Sequence, residues 1–348
     1  VRFVSRLDTD AKRRDFTVNG LFYDLATGEV IDHIGGLHDL ERRLLRTIGD
    51  ADQRFAEDHL RLLRLVRFAA RTGFAIAAET AAAARAAAAG LSRLAPEAVY
   101  RELTDAFTSA GRGTALRLLV DLGVAAVVLP EVAAMDGVTQ PPEYHPEGDV
   151  LTHVGLVLDA VPAGDPILAW CAVLHDIGKP ATWRQGDDRI RFDGHDQLSA
   201  DMAREVLQRF RAGRELIENV VDVCREHIRF AALPQMRPRR RERWLRSPNF
   251  GHHLAFHRAD CIGSHGNLQI HAYASRELDL LPAVFEPLVT GRDVLALGVE
   301  PGPMVGELLR RVHAAADESP VAMGRAEALE LLGDFAARRR QGPDRNAR

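Results

Sequence analysis

Six side chains in the middle of the chain are of the types that hold metal ions for phosphoester chemistry. His175-Asp176 stands in "ILAWCAVLHDIGKPAT", at the end of an apolar helical run that Gly178 and Pro180 stop. An adjacent imidazole and carboxylate are costly to bury at a helix end unless something pairs with them. A lone His-Asp dipeptide is most often structural, but this one has companions. They are His153 in "VLTHV", His195 in "FDGHDQ", His227 in "CREHIRF" and Asp260 in "HRADC", each on a separate predicted helix or helix edge. Imidazoles with carboxylates suit Mn, Fe, Ni, Zn or Mg, the carboxylates favouring the harder ions. A metal held this way lowers the pKa of a water for attack on a phosphoester. Ten of the fourteen histidines lie between His145 and His271, a concentration for which metal binding is the first physical reason. His252, His253, His257, His265 and His271 are assigned ordinary surface or core roles.

A second chemistry is written in "EDHLRLLRLVRFAA" (57–70). Glu57 and Asp58 precede Arg61, Arg64 and Arg67 on a predicted helix, where Glu57–Arg61 and Asp58–Arg61 have spacings that let side chains meet. The plain reading is a solvated, salt-bridged face. Beside a nucleotide pocket the same pair could read bases. The carboxylate accepts from an exocyclic amino group while the guanidinium donates to ring acceptors. Cytosine and adenine share an amino group beside a ring nitrogen, and uracil and guanine do not.

The elements that must position these groups are mostly helices. Residues 1–49 carry short β-type runs ("VRFV", "GLFYD", "EVIDHI") between Gly and Asp turns. From Asp50 the pattern turns helical, with Leu62, Leu65, Val66 and Ala69 as an apolar stripe and Pro96 suited to a first turn. "GVTQPPEYHPEGD" (137–149), with three prolines, reads as a linker, and more helices follow. The basic tail from 338 reads as disordered. The 348 residues allow two or three domains, and the 46% hydrophobic and 27% charged composition is that of a globular protein. No apolar run reaches the length of a membrane span, so no membrane partner is expected. Three scattered cysteines without CxxC spacing argue against a disulfide framework and for a cytoplasmic location. A net charge of −4 argues against a uniformly basic nucleic-acid coat and leaves room for local basic faces. One such face is "MRPRRRERWLR" (236–246), with six arginines around Trp244, read equally as an RNA-contacting surface, with aromatic stacking a minor element of that reading, or as a solvated helix start.

Four segments in register, "RRDFTVNG" (13–20), "DHIGGLHDL" (32–40), "EDHLRLLRLVRFAA" (57–70) and "PEAVYREL" (96–103), resemble the later motifs of the bacterial tRNA nucleotidyltransferase (CCA-adding) and poly(A) polymerase family. The resemblance continues through the histidine-rich region, which is similar to the HD superfamily of metal-dependent phosphohydrolases. It implies a mainly α fold: a remnant of an α/β nucleotidyltransferase head (1–49), a helical neck (50–136), the linker, an all-helical HD domain (150–285) and a C-terminal tRNA-binding element (286–337). By position it puts Arg14 against the nucleotide phosphates and has Asp15 and Asn19 shape the ribose and phosphate pocket. Asp58 and Arg61 become the base-reading template, and Arg64 and Arg67 join the triphosphate cluster. His153, His175, Asp176 and Asp260 hold one metal, with His195 and His227 supplying a second, and His175-Asp176 is the catalytic core of the hydrolase. The implied cofactors are Mg²⁺ for nucleotidyl transfer and a transition metal or Mg²⁺ at the HD site. The implied partners are tRNA, ATP and CTP, and no oligomeric state follows. In this family the polymerase metals sit on an acidic pair well before the "RRDFT" motif. No such segment precedes Arg13 here, so a truncated head is expected, and Asp8 and Asp10 are read as bystanders. The alternatives are an HD phosphohydrolase acting alone, an A-adding or poly(A) polymerase, and a non-catalytic tRNA-binding protein.

Overall fold

The computed structural model describes residues 7–282 and 287–340, and the chain it shows is mainly α. The run "VRFV" and residues 341–348 of the expected tail lie outside the described residues, while 338–340 continue the helix Arg325–Arg340. Described strand pairing is confined to three two-stranded ladders. Phe22–Tyr23 pairs antiparallel with Val30–Ile31, Leu44–Leu45 parallel with Ala75–Ile76, and Arg184–Gln185 antiparallel with Ile190–Arg191. The second ladder ties the head piece to the neck.

In the head piece, "DHIGG" folds around one carboxylate. Asp32 accepts the backbone N–H groups of Ile34, Gly35, Gly36 and Leu37 at 2.9–3.0 Å, ahead of the helix Gly36–Glu41. Gly35 takes φ +77°, and a Cβ on Gly36 would stand 2.3 Å from the Thr17 carbonyl oxygen, so both positions require glycine.

Neck and HD-type helices share one core. Helix Leu60–Thr72 buries Leu62, Leu65, Val66 and Ala69, as the stripe predicts, and Gly73 at φ +66° ends it. Pro96 opens helix Pro96–Thr108. Trp170, on helix Pro166–Leu174, is fully buried against that neck helix: it stacks on Tyr100 (5.6 Å), meets Phe107 edge-on (5.3 Å) and donates its indole N–H to Thr104 Oγ1 at 3.0 Å. The buried cluster runs without interruption from Phe16 through the neck to Ala259.

The chain divides into two compact units. One comprises residues up to Ile228 together with Gly251–Leu268. The other comprises Arg229–Phe250 and the residues from Gln269 onward, with its own core of Leu288, Val294, Leu308, Val312, Ala328 and Leu332. No described helix is long and apolar enough to cross a membrane.

Candidate metal centre and nucleotide pocket

Helix ends supply most of the centre. His153 comes from the first turn of helix Val150–Ala160, and His175 and Asp176 from the turn closing helix Pro166–Leu174. His195 opens helix His195–Arg209, His227 caps helix Arg214–Glu226, and Asp260 lies on helix Phe250–Gly263. The structure brings all six together.

Their atoms form two groups that share Asp176. On the first side, His175 Nε2 lies 3.1 Å and His153 Nε2 3.6 Å from Asp176 Oδ2, with Asp260 Oδ1 3.2 Å from His153 Nε2. On the second, His195 Nε2 and His227 Nε2 lie 3.5 and 3.8 Å from Asp176 Oδ1 and 3.3 Å from each other. Ligands around an ion with bonds of about 2.1 Å stand about 3.0–3.4 Å apart; the spacings of 3.1, 3.2 and 3.3 Å fall in that range, and those of 3.5, 3.6 and 3.8 Å lie just beyond it. Asp176 Oδ1 is buried and accepts no hydrogen bond among the described residues, a vacancy that a cation satisfies.

The imidazoles are preset for the task. His175, His195 and His227 turn Nδ1 toward the carbonyls of Ala172, Phe192 and Cys224 at 3.0, 2.7 and 2.6 Å. Donating there leaves the Nε2 lone pairs facing the centre. Burial alone would raise both carboxyls. His175, Lys179 and His195 nevertheless hold Asp176 well below the usual range, and His153 does the same for Asp260. Burial, reinforced by His175, pushes His227 down to about 4. Burial also opposes charge on His153, but Asp260, Glu147 and Asp176 outweigh it and lift the ring to about 9.

Sequence reasoning missed four residues. Lys179 is buried with Nζ 2.7 Å from Asp176 Oδ2, and it donates to Gln140 Oε1 at 2.6 Å. Glu147 Oε1 lies 2.8 Å from His153 Nδ1 and 2.9 Å from His145 Nδ1. The signal for Lys179 was its place in "HDIGK"; the other three sit in the proline-rich segment 137–149. A cleft of about 440 Å³ opens onto the centre, with Tyr144, His145, Lys179, Arg189, Arg191 and Ile228 in its lining. His253, expected to have an ordinary surface or core role, is buried and bonded to Asp222 Oδ2 at 2.9 Å.

The second constellation is partly open to solvent: the side chains of Arg14 and Arg64 are exposed, while those of Asp15 and Arg61 are each 12% exposed. Arg13, Arg14, Asp15, Asn19 and Arg64 line one pocket. Asp15 holds Arg61 Nε at 3.0 Å and Arg64 Nη2 at 2.6 Å, while Arg14 is held by Asp10 at 3.1 Å and by the Asn19 carbonyl at 3.0 Å. Arg67 turns instead to Glu102 at 2.8 Å. One expectation needs correction: Glu57 and Asp58 do not share a helix with the arginines. Helix Ala51–Glu57 ends, Asp58 is extended, and a new helix begins at Leu60. Glu57 still reaches Arg61 at 3.1 Å, but Asp58 Oδ1 accepts the Leu60 N–H at 2.9 Å rather than pairing with Arg61. A short carboxylate satisfies the free amides of a new helix start, which is why the break falls there.

The arginine cluster 237–246 also reads differently in three dimensions. Arg237, Arg241 and Arg243 pair with Glu318, Glu277 and Asp317, and Arg239 and Arg246 both pair with Glu242. Trp244 is buried against Phe230 and Phe250, with Arg229 over its ring, so it is not available to stack on a base.

Comparison with known proteins gives a consistent family. Three family profiles match: the poly A polymerase head domain (1–46), the probable RNA and SrmB-binding site of polymerase A (73–136) and the HD domain (151–247). The multifunctional CCA protein of Xanthomonas campestris pv. campestris is 35% identical over 325 residues, covering 89% of this chain and 78% of the relative. That of Halorhodospira halophila is 41% identical over 239 residues, 67% of this chain and 56% of the relative. Among solved structures, the fold is similar to the Bacillus stearothermophilus CCA-adding enzyme in complex with CTP (TM-score 0.70, 23% identity, 98% of this chain and 77% of that one). It is also similar to the Thermotoga maritima CCA-adding enzyme complexed with tRNA (TM-score 0.58, 18% identity, 95% and 74%). With identity of this extent across most of its length, the chain belongs to the multifunctional CCA protein family, the tRNA nucleotidyltransferase and poly(A) polymerase lineage that carries an HD domain.

Proposed function

We propose that this protein serves the addition of C and A to tRNA 3′ ends from CTP and ATP, and that its HD domain is a metal-dependent phosphohydrolase. The observation that carries the first part is the Asp15 carboxylate gripping Arg61 and Arg64 beside Arg14. It fixes one guanidinium for a base edge and leaves others for phosphate, where charge-assisted contacts are strong. The names of the relatives, and the CTP and tRNA held by the solved enzymes, support the same reading. Residues 286–337 serve it as the tRNA-binding element and the cytoplasm is its setting, in keeping with three buried free thiols. Asp10 and Asp15 are each held between two guanidinium groups, so they do not fit as ligands of the Mg²⁺ of nucleotidyl transfer. CTP and ATP binding to Asp58→Ala and Arg61→Ala tests the assignment. Loss of preference over UTP and GTP is expected, and unchanged preference would sink it.

At the HD centre, a divalent transition ion or Mg²⁺ supplies a water of lowered pKa and a counter-charge for the phosphoryl group. Asp176 presents one oxygen to each half of the centre, and the helix-end carbonyls orient His175, His195 and His227. Lys179 and Arg191 line the cleft with positive charge suited to phosphate. Phosphate release from phosphomonoesters, or ring opening of cyclic nucleotides to monophosphates, should vanish in His175→Ala and Asp176→Ala. Activity that survived those changes would overturn the assignment. A second reading, hydrolysis as this chain's only chemistry, is favoured by one contrast. The HD ligand set is complete, whereas Asp10 and Asp15 are taken up by arginines.

A further inference from the structure

The four imidazoles of the metal centre are not held alike. His175, His195 and His227 each turn Nδ1 to a carbonyl three residues earlier in their own turn, so local backbone sets those rings. His153 faces a carboxylate from outside its helix. Glu147 Oε1 stands 2.8 Å from its Nδ1, and the Glu147 side chain is 6% exposed. His145, two residues earlier, hydrogen-bonds that oxygen at 2.9 Å, whereas His153 Nδ1 meets it at ion-pair distance without an aligned hydrogen bond. The segment that carries them is anchored at both ends. The Gly137 N–H donates to Asp149 Oδ2 at 2.7 Å and the Val150 N–H to the Val138 carbonyl at 3.0 Å, while Gln140 in between accepts from buried Lys179.

From this asymmetry we infer that Glu147 is a positioning residue for one half of the metal centre. It sets the ring of His153, and with it the ion held by His153, His175, Asp176 and Asp260, and leaves the His195–His227 half alone. The inference rests on the two-ion reading of the centre given above. A carboxylate behind a ligating imidazole fixes its orientation and raises its basicity, and removing such a group typically weakens metal binding by about 10- to 100-fold. Segment 137–149 would thereby govern one ion and not the other.

The test is titration of the metal-free full chain with Co²⁺, followed by visible absorption and by calorimetry. Wild type should take up two ions per chain. In a His195→Ala background, which keeps the His153 half, adding Glu147→Ala should weaken the remaining ion by about 10- to 100-fold. In a His153→Ala background it should change nothing, because the half it serves is already gone. Equal weakening in both backgrounds, or none in either, overturns the inference. If Glu147→Ala alters the circular dichroism of the metal-free chain, Glu147→Gln replaces it. The amide keeps an oxygen acceptor, so the weakening should be smaller but confined to the same background, and any other pattern overturns the inference. A wild-type chain that took up no Co²⁺ would remove the metal-centre reading itself, an outcome separate from an indifferent Glu147.

Discussion

The two sites of this molecule hold their charged groups by opposite means. At the metal centre, His153, His175 and Asp176 are each 1% exposed, and the ring orientations come largely from backbone carbonyls at helix ends. At the proposed nucleotide pocket the arginines are held by carboxylates. Asp15 grips Arg61 and Arg64, and Asp10 grips Arg13 and Arg14, with Arg14 and Arg64 still substantially exposed. Backbone partners cannot be exchanged for a ligand, whereas the exposed guanidinium groups of Arg14 and Arg64 can re-pair around an arriving triphosphate. One site is therefore built before its ligand comes, and the other is prepared to trade partners.

The sharpest way to break this contrast is Asp176→Ala. Since each oxygen of Asp176 faces a different half, uptake of both ions and all metal-dependent phosphate release should be lost, as metal analysis and a phosphate assay would show. Retention of one tight ion would mean the halves are independent. Next in size, Arg64→Ala should weaken CTP and ATP binding by about 10- to 100-fold, in line with a charge-assisted phosphate contact. Raising ionic strength should weaken nucleotide binding in the wild type while leaving Co²⁺ stoichiometry unchanged, because screening acts on exposed charges. Both readouts come from the same calorimetric titrations.

A smaller effect follows from pH. His153 is raised from an ordinary 6.5 to about 9 in the metal-free protein, so the stability it contributes is full below 6.5 and is lost as pH climbs through 9. An ion needs the neutral ring, so its apparent affinity should rise over that window by up to about tenfold per unit. Thermal melts of the metal-free chain and Co²⁺ titrations at stepped pH should move in opposite directions. The smallest change is expected in the other unit. Arg243→Ala removes an exposed pair with Asp317 and should cost less than about 1 kcal/mol in denaturant unfolding.

What the sequence disclosed follows the same division. The candidate metal ligands stand out in the sequence because histidine and aspartate clustered over separate helices have few other reasons to recur, and the fold brings all six side chains together. The apolar stripe of Leu60–Thr72 and the turn at Gly35 were equally plain, since spacing and glycine act locally. Gln140 and Glu147 were hidden because three prolines drew attention to chain direction rather than to the side chains between them. The break at Asp58 was missed because no proline or glycine marks it; an aspartate that begins a new helix looks the same as one inside a charged face. The ion pairs of the arginines of 237–246 were hidden for a third reason. Three of their partners, Glu277, Asp317 and Glu318, lie more than thirty residues away, and no local pattern announces them.

Trp170 carries a consequence for how this protein could be divided. It belongs to the helix that delivers His175, yet its ring and its N–H are spent on Tyr100, Phe107 and Thr104 of the neck. The boundary that family profiles draw between neck and HD region is thus a seam in ancestry and not in thermodynamics. An HD fragment cut free near residue 150 would present a bare tryptophan to water and forfeit the wall on which the helix bearing His175 leans. Protease nicking there should yield degradation rather than a surviving module. Evolution in such a chain can retune either chemistry by changing side chains at its rim, but it cannot readily exchange one half for another.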